Sequence, residues 1–322
     1  MLKVYRHPKY CYDLESVMRF IPVEYVTDIE QADYVDIATS EPAPVFKDIT
    51  KPIVYSYIRE HPYTHDEYLK TQFDSLQSTQ DITIFSLGSF EYFAPTRKNI
   101  IIDQFELDAY HRLFVKEECE IQQKNLSKLR FLLLGGKANK GNRKPLLDML
   151  VKNDSFNSRL AWSMFGVDGG NELDTIKIEN NHYIGYPYDR MVYQVTNFSV
   201  IAETHFDGNQ EFHPTEKTYR AIANMHPFAV LSTPFFMNKL REKGYKTFHN
   251  FVNETYDIET NPQSRLRKFA GALITLNGQN LDWSLFKELC KHNVNTLKKN
   301  ALNTRKRIIE SLSKNENSNI RL

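Results

Sequence analysis

The chain has 322 residues, which at ~150 residues per domain points to two domains. Its 41% apolar, 13% aromatic and 25% charged residues supply material for two cores and exclude a disordered, collagen-like or linker-like chain. A net charge of +1, from 41 basic and 40 acidic residues, excludes a protein that coats nucleic acid by bulk charge, although a local basic cleft remains open.

Cys11, Cys119 and Cys290 form an odd, widely spaced trio. That is neither a disulfide framework nor a metal knuckle, so three reduced thiols are expected. No apolar run approaches the ~18 residues of a membrane span. Met1-Leu2-Lys3-Val4-Tyr5-Arg6-His7-Pro8 has no signal-peptide core, so a cytoplasmic location without membrane insertion is expected.

In chain order, strands are expected at Lys3–Tyr5, Tyr34–Ala38, Ile53–Tyr57 and Ile82–Ser86, with helices over Tyr12–Phe20 and His65–Gln77. Pro52 and Pro62 bracket the third strand. A helix is expected over 105–128, with an apolar stripe at Phe105, Leu107, Leu113, Phe114 and Ile121. Leu129–Leu134 starts a new strand that runs into Gly135-Gly136, a basic loop and a helix over Lys144–Lys152. Further strands are expected at Phe198–Ala202 and Phe228–Leu231. Helices follow from His213–Lys217 to Ala223, from Pro234 to Lys243, and from Trp283 to Leu312.

Strands alternating with helices predict an α/β fold with parallel sheets. We divide the chain into an N-terminal domain over 1–125, a second domain over 126–280 and a helical segment over 281–322. Ligands of such folds sit outside the carboxyl ends of strands, so the loops after strands carry the chemistry.

Three constellations lie in such loops. Gly136-Lys137-Ala138-Asn139-Lys140-Gly141-Asn142-Arg143 nearly matches the phosphate loop GxxxxGK[ST]. Asn142 and Arg143 stand where Lys and a hydroxyl belong, which excludes the usual ATPase arrangement. An Arg opening a helix beside two lysines still suits a diphosphate, though a plain solvated basic turn has the same composition. In Pro214-Thr215-Glu216-Lys217, Thr215 is a candidate N-cap. A carboxylate at Glu216 can accept from two ribose hydroxyls and an ammonium at Lys217 can neutralise a phosphate. An ordinary helix start would look the same. Glu203, at the end of a strand, could contact a sugar or position Lys217. Glu203, His205 and Asp207 share a strand face, but no second cluster completes a metal site, and none is expected. Pro62 stands between His61 and His65 and makes a single helix over both unfavourable, so a structural or exposed role is expected for at least one of them.

The stretch Phe198-Ser199-Val200-Ile201-Ala202-Glu203, followed by Pro214-Thr215-Glu216-Lys217-Thr218, resembles the donor-binding signature of α1,3-fucosyltransferases. The run to Asp257 is closer still to phage-encoded glycosyltransferase-like proteins. Its landmarks are His226-Pro227-Phe228, Leu240-Arg241, Gly244-Tyr245-Lys246-Thr247-Phe248, Glu254-Thr255-Tyr256-Asp257 and the Arg-then-helix element Asn142-Arg143-Lys144-Pro145-Leu146-Leu147. His213-Pro214 departs from the Tyr-Val that precedes Thr-Glu-Lys in the fucosyltransferases.

The resemblance implies a GT-B fold, two Rossmann-like domains facing a central cleft. It implies a metal-independent hexosyl- or pentosyltransferase with no cofactor beyond its substrate, a UDP- or GDP-linked sugar. Arg143 and Lys217 would hold the diphosphate and Glu216 the ribose, with Glu203 and Thr215 beside them. The acceptor would be a hydroxymethylated base in phage DNA, in the host cytoplasm, or a surface glycan. Lys137, Lys140 and Lys144 are candidate acceptor contacts. Glu41, Glu60 and His61, after first-domain strands, are candidate bases. Two alternatives remain open: a non-catalytic nucleotide- or nucleic-acid-binding protein of the same fold, and a metal-dependent hydrolase using His205, Asp207 and His213.

Overall fold

The computed structural model describes residues 1–11, 16–38, 49, 51–57, 82–86, 98–111, 130–139, 142–165, 193, 196–206, 212–279 and 284–313. The chain divides into two compact units, Met1–Asp108 with Ala301–Leu322, and Ala109–Asn300.

The first unit is built on six parallel strands: β1 (Leu2–Cys11), β2 (Val23–Val26), β3 (Tyr34–Ala38), β4 (Ile53–Tyr57), β5 (Ile82–Ser86) and β6 (Lys98–Ile101), in the order β2-β1-β3-β4-β5-β6. Every described residue of β3 is buried, as expected of a strand covered on both faces. Val35, Ile37, Ile53, Tyr55, Ile82 and Ile84 pack on one face, with Ile49 beside them. The opposite face carries buried polar groups at Asp36, Ser56 and Thr83.

Those groups reshape the expected helix over Tyr12–Phe20, whose described part is only a 3-10 turn, Val17–Phe20. Ser16 Oγ donates to Asp36 (2.6 Å), and the Val17 N–H donates to Ser56 Oγ (2.9 Å). These bonds tie the turn to two strands instead of letting it wind on as a helix. The helix expected from 105 begins as α1 (Gln104–Tyr110); the helix expected over His65–Gln77 lies outside the described residues.

The second unit has four parallel strands: β7 (Phe131–Lys137), β8 (Leu160–Phe165), β9 (Phe198–Ala202) and β10 (Phe228–Leu231), in the order β10-β9-β7-β8. The chain goes from β7 outward to β8, then crosses back to the other side of β7 for β9 and β10. The order therefore reverses between β7 and β9, and a ligand crevice is expected outside their carboxyl ends.

Helices α2 (Arg143–Val151), α3 (Asp154–Asn157), α4 (Glu216–Ala223), α5 (Phe236–Glu242), α6 (Pro262–Asn277) and α7 (Ser284–Ser313) complete the fold. The core is aromatic. Phe131 stacks on Phe156 at 4.4 Å, and Phe198 meets Phe248 and Phe286 edge-on at 6.5 and 6.3 Å. Helix α7 holds the loop after α5. Asn293 bonds both backbone groups of Lys246 (2.7 and 2.9 Å), and His292 reaches the Gly244 carbonyl (2.9 Å). Residues of α7 up to Asn300 belong to the second unit and those from Ala301 to the first. No described helix is long and apolar enough to cross a membrane.

Candidate functional site

Strand β9 ends at Ala202, and the next residue buries a carboxylate. Glu203 is 2% exposed. Its Oε1 accepts from the Thr215 N–H (3.0 Å) and from Thr218 Oγ1 (2.6 Å), and its Oε2 accepts from Thr215 Oγ1 (2.5 Å). A buried carboxylate is tolerable only when so satisfied. The effect is to lock the first turn of α4 onto the end of β9.

Thr215 is the N-cap, in extended conformation, with its hydroxyl accepting from the Lys217 N–H. That places Glu216 and Lys217 in the first turn. Lys217 Nζ donates to Glu216 Oε1 (2.9 Å) and Thr215 Oγ1 (3.0 Å), and lies 4.0 Å from Glu203 Oε2. Glu216 leaves 28% of its side chain exposed, against 12% for Lys217. The carboxylate is the more open of the two.

Burial alone would raise the Glu216 carboxyl above its ordinary 4.5. The charges of Lys217 and Arg220, with the hydrogen bond from Lys217, outweigh that and bring it down to about 2. A carboxyl with a folded pKa below its unfolded value adds stability above the unfolded pKa and loses it as pH falls through the folded one. The contribution of Glu216 is thus complete above pH 4.5 and disappears towards pH 2. In Glu216→Gln, urea midpoints should fall at neutral pH and approach those of the native chain below pH 4. Parallel pH curves for the two proteins would contradict this. Asp257 and Glu254, which burial raises, have the opposite sign and are common to both proteins.

Strand β7 delivers the cation on the other side. The β7–β8 register shifts between Leu134 and Gly136. Gly135 packs against β8, where an added Cβ would fall 2.5 Å from Met164 Cε. Gly136 turns the chain with φ +59°, a left-handed conformation that disfavours a side chain. A Cβ there would also sit 3.2 Å from Arg143 Nη1, so the bare backbone admits the guanidinium. Arg143 is the first residue of α2, 3% exposed, and its Nη2 donates to Thr204 Oγ1 at 3.3 Å. Arg143 and Lys217 thus reach adjacent residues, Thr204 and Glu203, at the carboxyl end of β9.

The loop beyond Thr204 is anchored by residues that sequence reasoning missed. Arg265, 1% exposed, donates to the Phe206 carbonyl and to the Glu259 carbonyl (2.6 Å), with its guanidinium 4.4 Å from the centre of the Phe206 ring. Ser232 Oγ donates to the His205 carbonyl (3.1 Å). The only sequence signal for Arg265 was a charged residue on an otherwise apolar helix stripe.

His205 and His213 face each other edge-on, ring centres 5.5 Å apart. Among the described residues no group of three His, Cys, Asp or Glu is placed to hold a metal; Asp207 lies outside them. Lys144 is exposed and pairs with Asp148 (2.6 Å), as a solvated helix face would. The backbone of Lys137 closes β7. Lys140 and the candidate bases Glu41, Glu60 and His61 lie outside the described residues.

No protein-family model and no curated protein matches the chain. Among solved structures it is similar to crystal structures of α1,3-fucosyltransferase. With GDP-fucose the TM-score is 0.40, with 10% identity over 92% of this chain and 90% of that one. With GDP the TM-score is 0.40, with 11% identity over 91% and 90%. A third structure gives 0.40, with 12% identity over 91% and 89%. A likeness at this level assigns neither activity nor residues to this chain.

Proposed function

We propose that the chain is a glycosyltransferase whose second unit holds the diphosphate and ribose of a UDP- or GDP-linked sugar. One observation carries this reading. At the point where the strand order reverses, the Glu203-Thr204 dipeptide meets a guanidinium and an ammonium, and the ammonium pairs with the anionic, partly open carboxylate of Glu216. Glu216 suits a ribose diol; Arg143 and Lys217 suit a diphosphate.

In the reaction, an acceptor hydroxyl forms a bond to the anomeric carbon of a hexosyl or pentosyl group. The bond from that carbon to the diphosphate breaks, and the electron pair leaves with the phosphate oxygen. Arg143 and Lys217 stabilise the developing charge, which gives them the neutralising role that a divalent metal has in other enzymes. The acceptor proton passes to a base, for which Glu41, Glu60 and His61 of the first unit are the candidates. The acceptor we expect is a hydroxymethylated base in DNA, with a surface glycan as the alternative.

A thermal-shift screen of nucleotide sugars tests the reading. The cognate donor at a hundred times its dissociation constant should stabilise the protein by about 2.7 kcal/mol, and transfer should persist in excess EDTA. A screen in which no UDP- or GDP-linked sugar raises Tm removes the proposal. Offering the cognate donor with hydroxymethylated DNA and with oligosaccharides then separates the two acceptor classes.

A further inference from the structure

Phe235 is held in a conformation that phenylalanine disfavours. It ends the short loop after β10 with φ 64° and ψ 14°, in the left-handed region. Such backbone costs energy for any residue with a Cβ, and glycine or asparagine would occupy it more cheaply. The surroundings enforce it. The Phe235 N–H donates to the Asp257 carbonyl (2.7 Å), while the Asp257 carboxylate accepts from the N–H groups of Met237 (2.9 Å) and Asn238 (3.2 Å). That carboxylate already occupies the amides at the start of α5, so they are no anion site. What the loop presents is Phe235, 47% exposed as a residue. In the second unit, Phe235 and Ile258, the residue after Asp257, are the large apolar side chains left exposed among the described residues.

The loop is tied to the candidate site on both sides. Ser232 Oγ holds the His205 carbonyl (3.1 Å), and Phe236 packs against Phe212 at 5.0 Å, three residues before the Thr215 cap. Strand order then sets a line along the rim. Arg143 follows β7, Glu216 is locked to the end of β9, and Phe235 follows β10. With neighbouring strands ~4.8 Å apart, β7 and β10 are about 10 Å apart. That span is comparable with a nucleoside diphosphate from its phosphates to its base.

We propose that Phe235 is the platform on which the nucleobase of the donor stacks, with the diphosphate towards Arg143 and the ribose at Glu216. This inference rests on the nucleotide-sugar reading and adds the base contact and its direction. Backbone strain of this kind clusters at ligand sites and switch regions, and here it sits at an exposed aromatic.

Calorimetric titration of the full chain with GDP, UDP, a GDP- and a UDP-linked sugar, and inorganic pyrophosphate tests it. Phe235→Ala and Phe235→Gly should weaken the cognate nucleoside diphosphate about 5- to 150-fold, the usual loss of one base stack. Pyrophosphate affinity should not change. Phe235→Trp should keep the nucleotide affinity, and Phe235→Gly should raise Tm while it weakens binding, because it relieves the left-handed strain. If the nucleoside diphosphate binds unchanged to both the Ala and Gly variants, the inference is overturned. It is also overturned if only the sugar nucleotide weakens, which would place the sugar on the ring. In either case Lys217→Met, which should weaken pyrophosphate and nucleotide alike, shows whether the underlying reading still stands. If the native chain binds no nucleotide, both fall.

Discussion

Glu203→Ala should cost about 4 kcal/mol of stability and abolish nucleotide binding. The side chain it removes accepts three hydrogen bonds. The Thr215 N–H and the Thr215 and Thr218 hydroxyls would lose their acceptor inside a site where both threonines are 0% exposed. Each stranded buried donor costs about 1–3 kcal/mol, and some relaxation will offset the sum. Against the 5–15 kcal/mol typical of whole domains, this is a severe loss for one side chain. Glu203→Gln is the informative companion. Its amide keeps one acceptor oxygen but turns an NH₂ towards groups that are themselves donors, so about 2 kcal/mol should still be lost. Urea unfolding measures both. An alanine variant within 1 kcal/mol of the native chain would show that α4 does not depend on the clamp.

The clamp also shows what the sequence could and could not disclose. Strands β3, β4, β5, β9 and β10 run where their apolar runs predict, because a strand covered on both faces reads as a mostly apolar run even where it buries a polar group such as Asp36, Ser56 or Ser199. The edge strands β2 and β6 escape that rule. The burial of β2 follows no apolar alternation, and β6 reads Lys-Asn-Ile-Ile. Neither was predicted. Strand β8 sits at the other sheet's edge, and its Leu-Ala-Trp-Ser-Met-Phe lacks the β-branched residues that mark strands. Helix α6 is legible in the sequence. Asn261 caps it, Pro262 opens it, and Leu266, Phe269, Ala270, Leu273 and Leu276 recur at helical spacing.

For the site, Thr215 as a cap follows from residue type and position alone. Glu203 was visible as an acid after a strand, but its partners were not, because an acid there can face water, sugar or protein. Only the fold shows that both its oxygens point inward. Phe235 gave no signal at all. Its φ is set by Asp257, over twenty residues away, and a phenylalanine after a proline carries no mark of a left-handed turn. The strand-order reversal, at which a ligand crevice is expected, rests on β8, whose sequence carries no strand signal.

Charge at Arg143 and Lys217 gives the second large effect. Arg143→Met and Lys217→Met should each weaken a nucleoside diphosphate by about 10- to 150-fold, the 1.5–3 kcal/mol of a hydrogen bond to a charged group. The matching nucleoside, which has no phosphate, should bind each variant as it binds the native chain. Arg143→Lys should recover only part of the loss. It restores a charge but not the planar fork that can bridge two phosphate oxygens, and a shorter point charge will not span the approach that Gly136 leaves open beside Nη1. The double variant decides whether the two cations serve one ligand. Arg143 is linked to Thr204 and Lys217 to Glu203, neighbours in the chain, so a shared diphosphate should make the two losses non-additive by more than 0.5 kcal/mol. Strict additivity, or an equal loss for nucleoside and nucleoside diphosphate, would mean that these cations support the loop and do not grip phosphate.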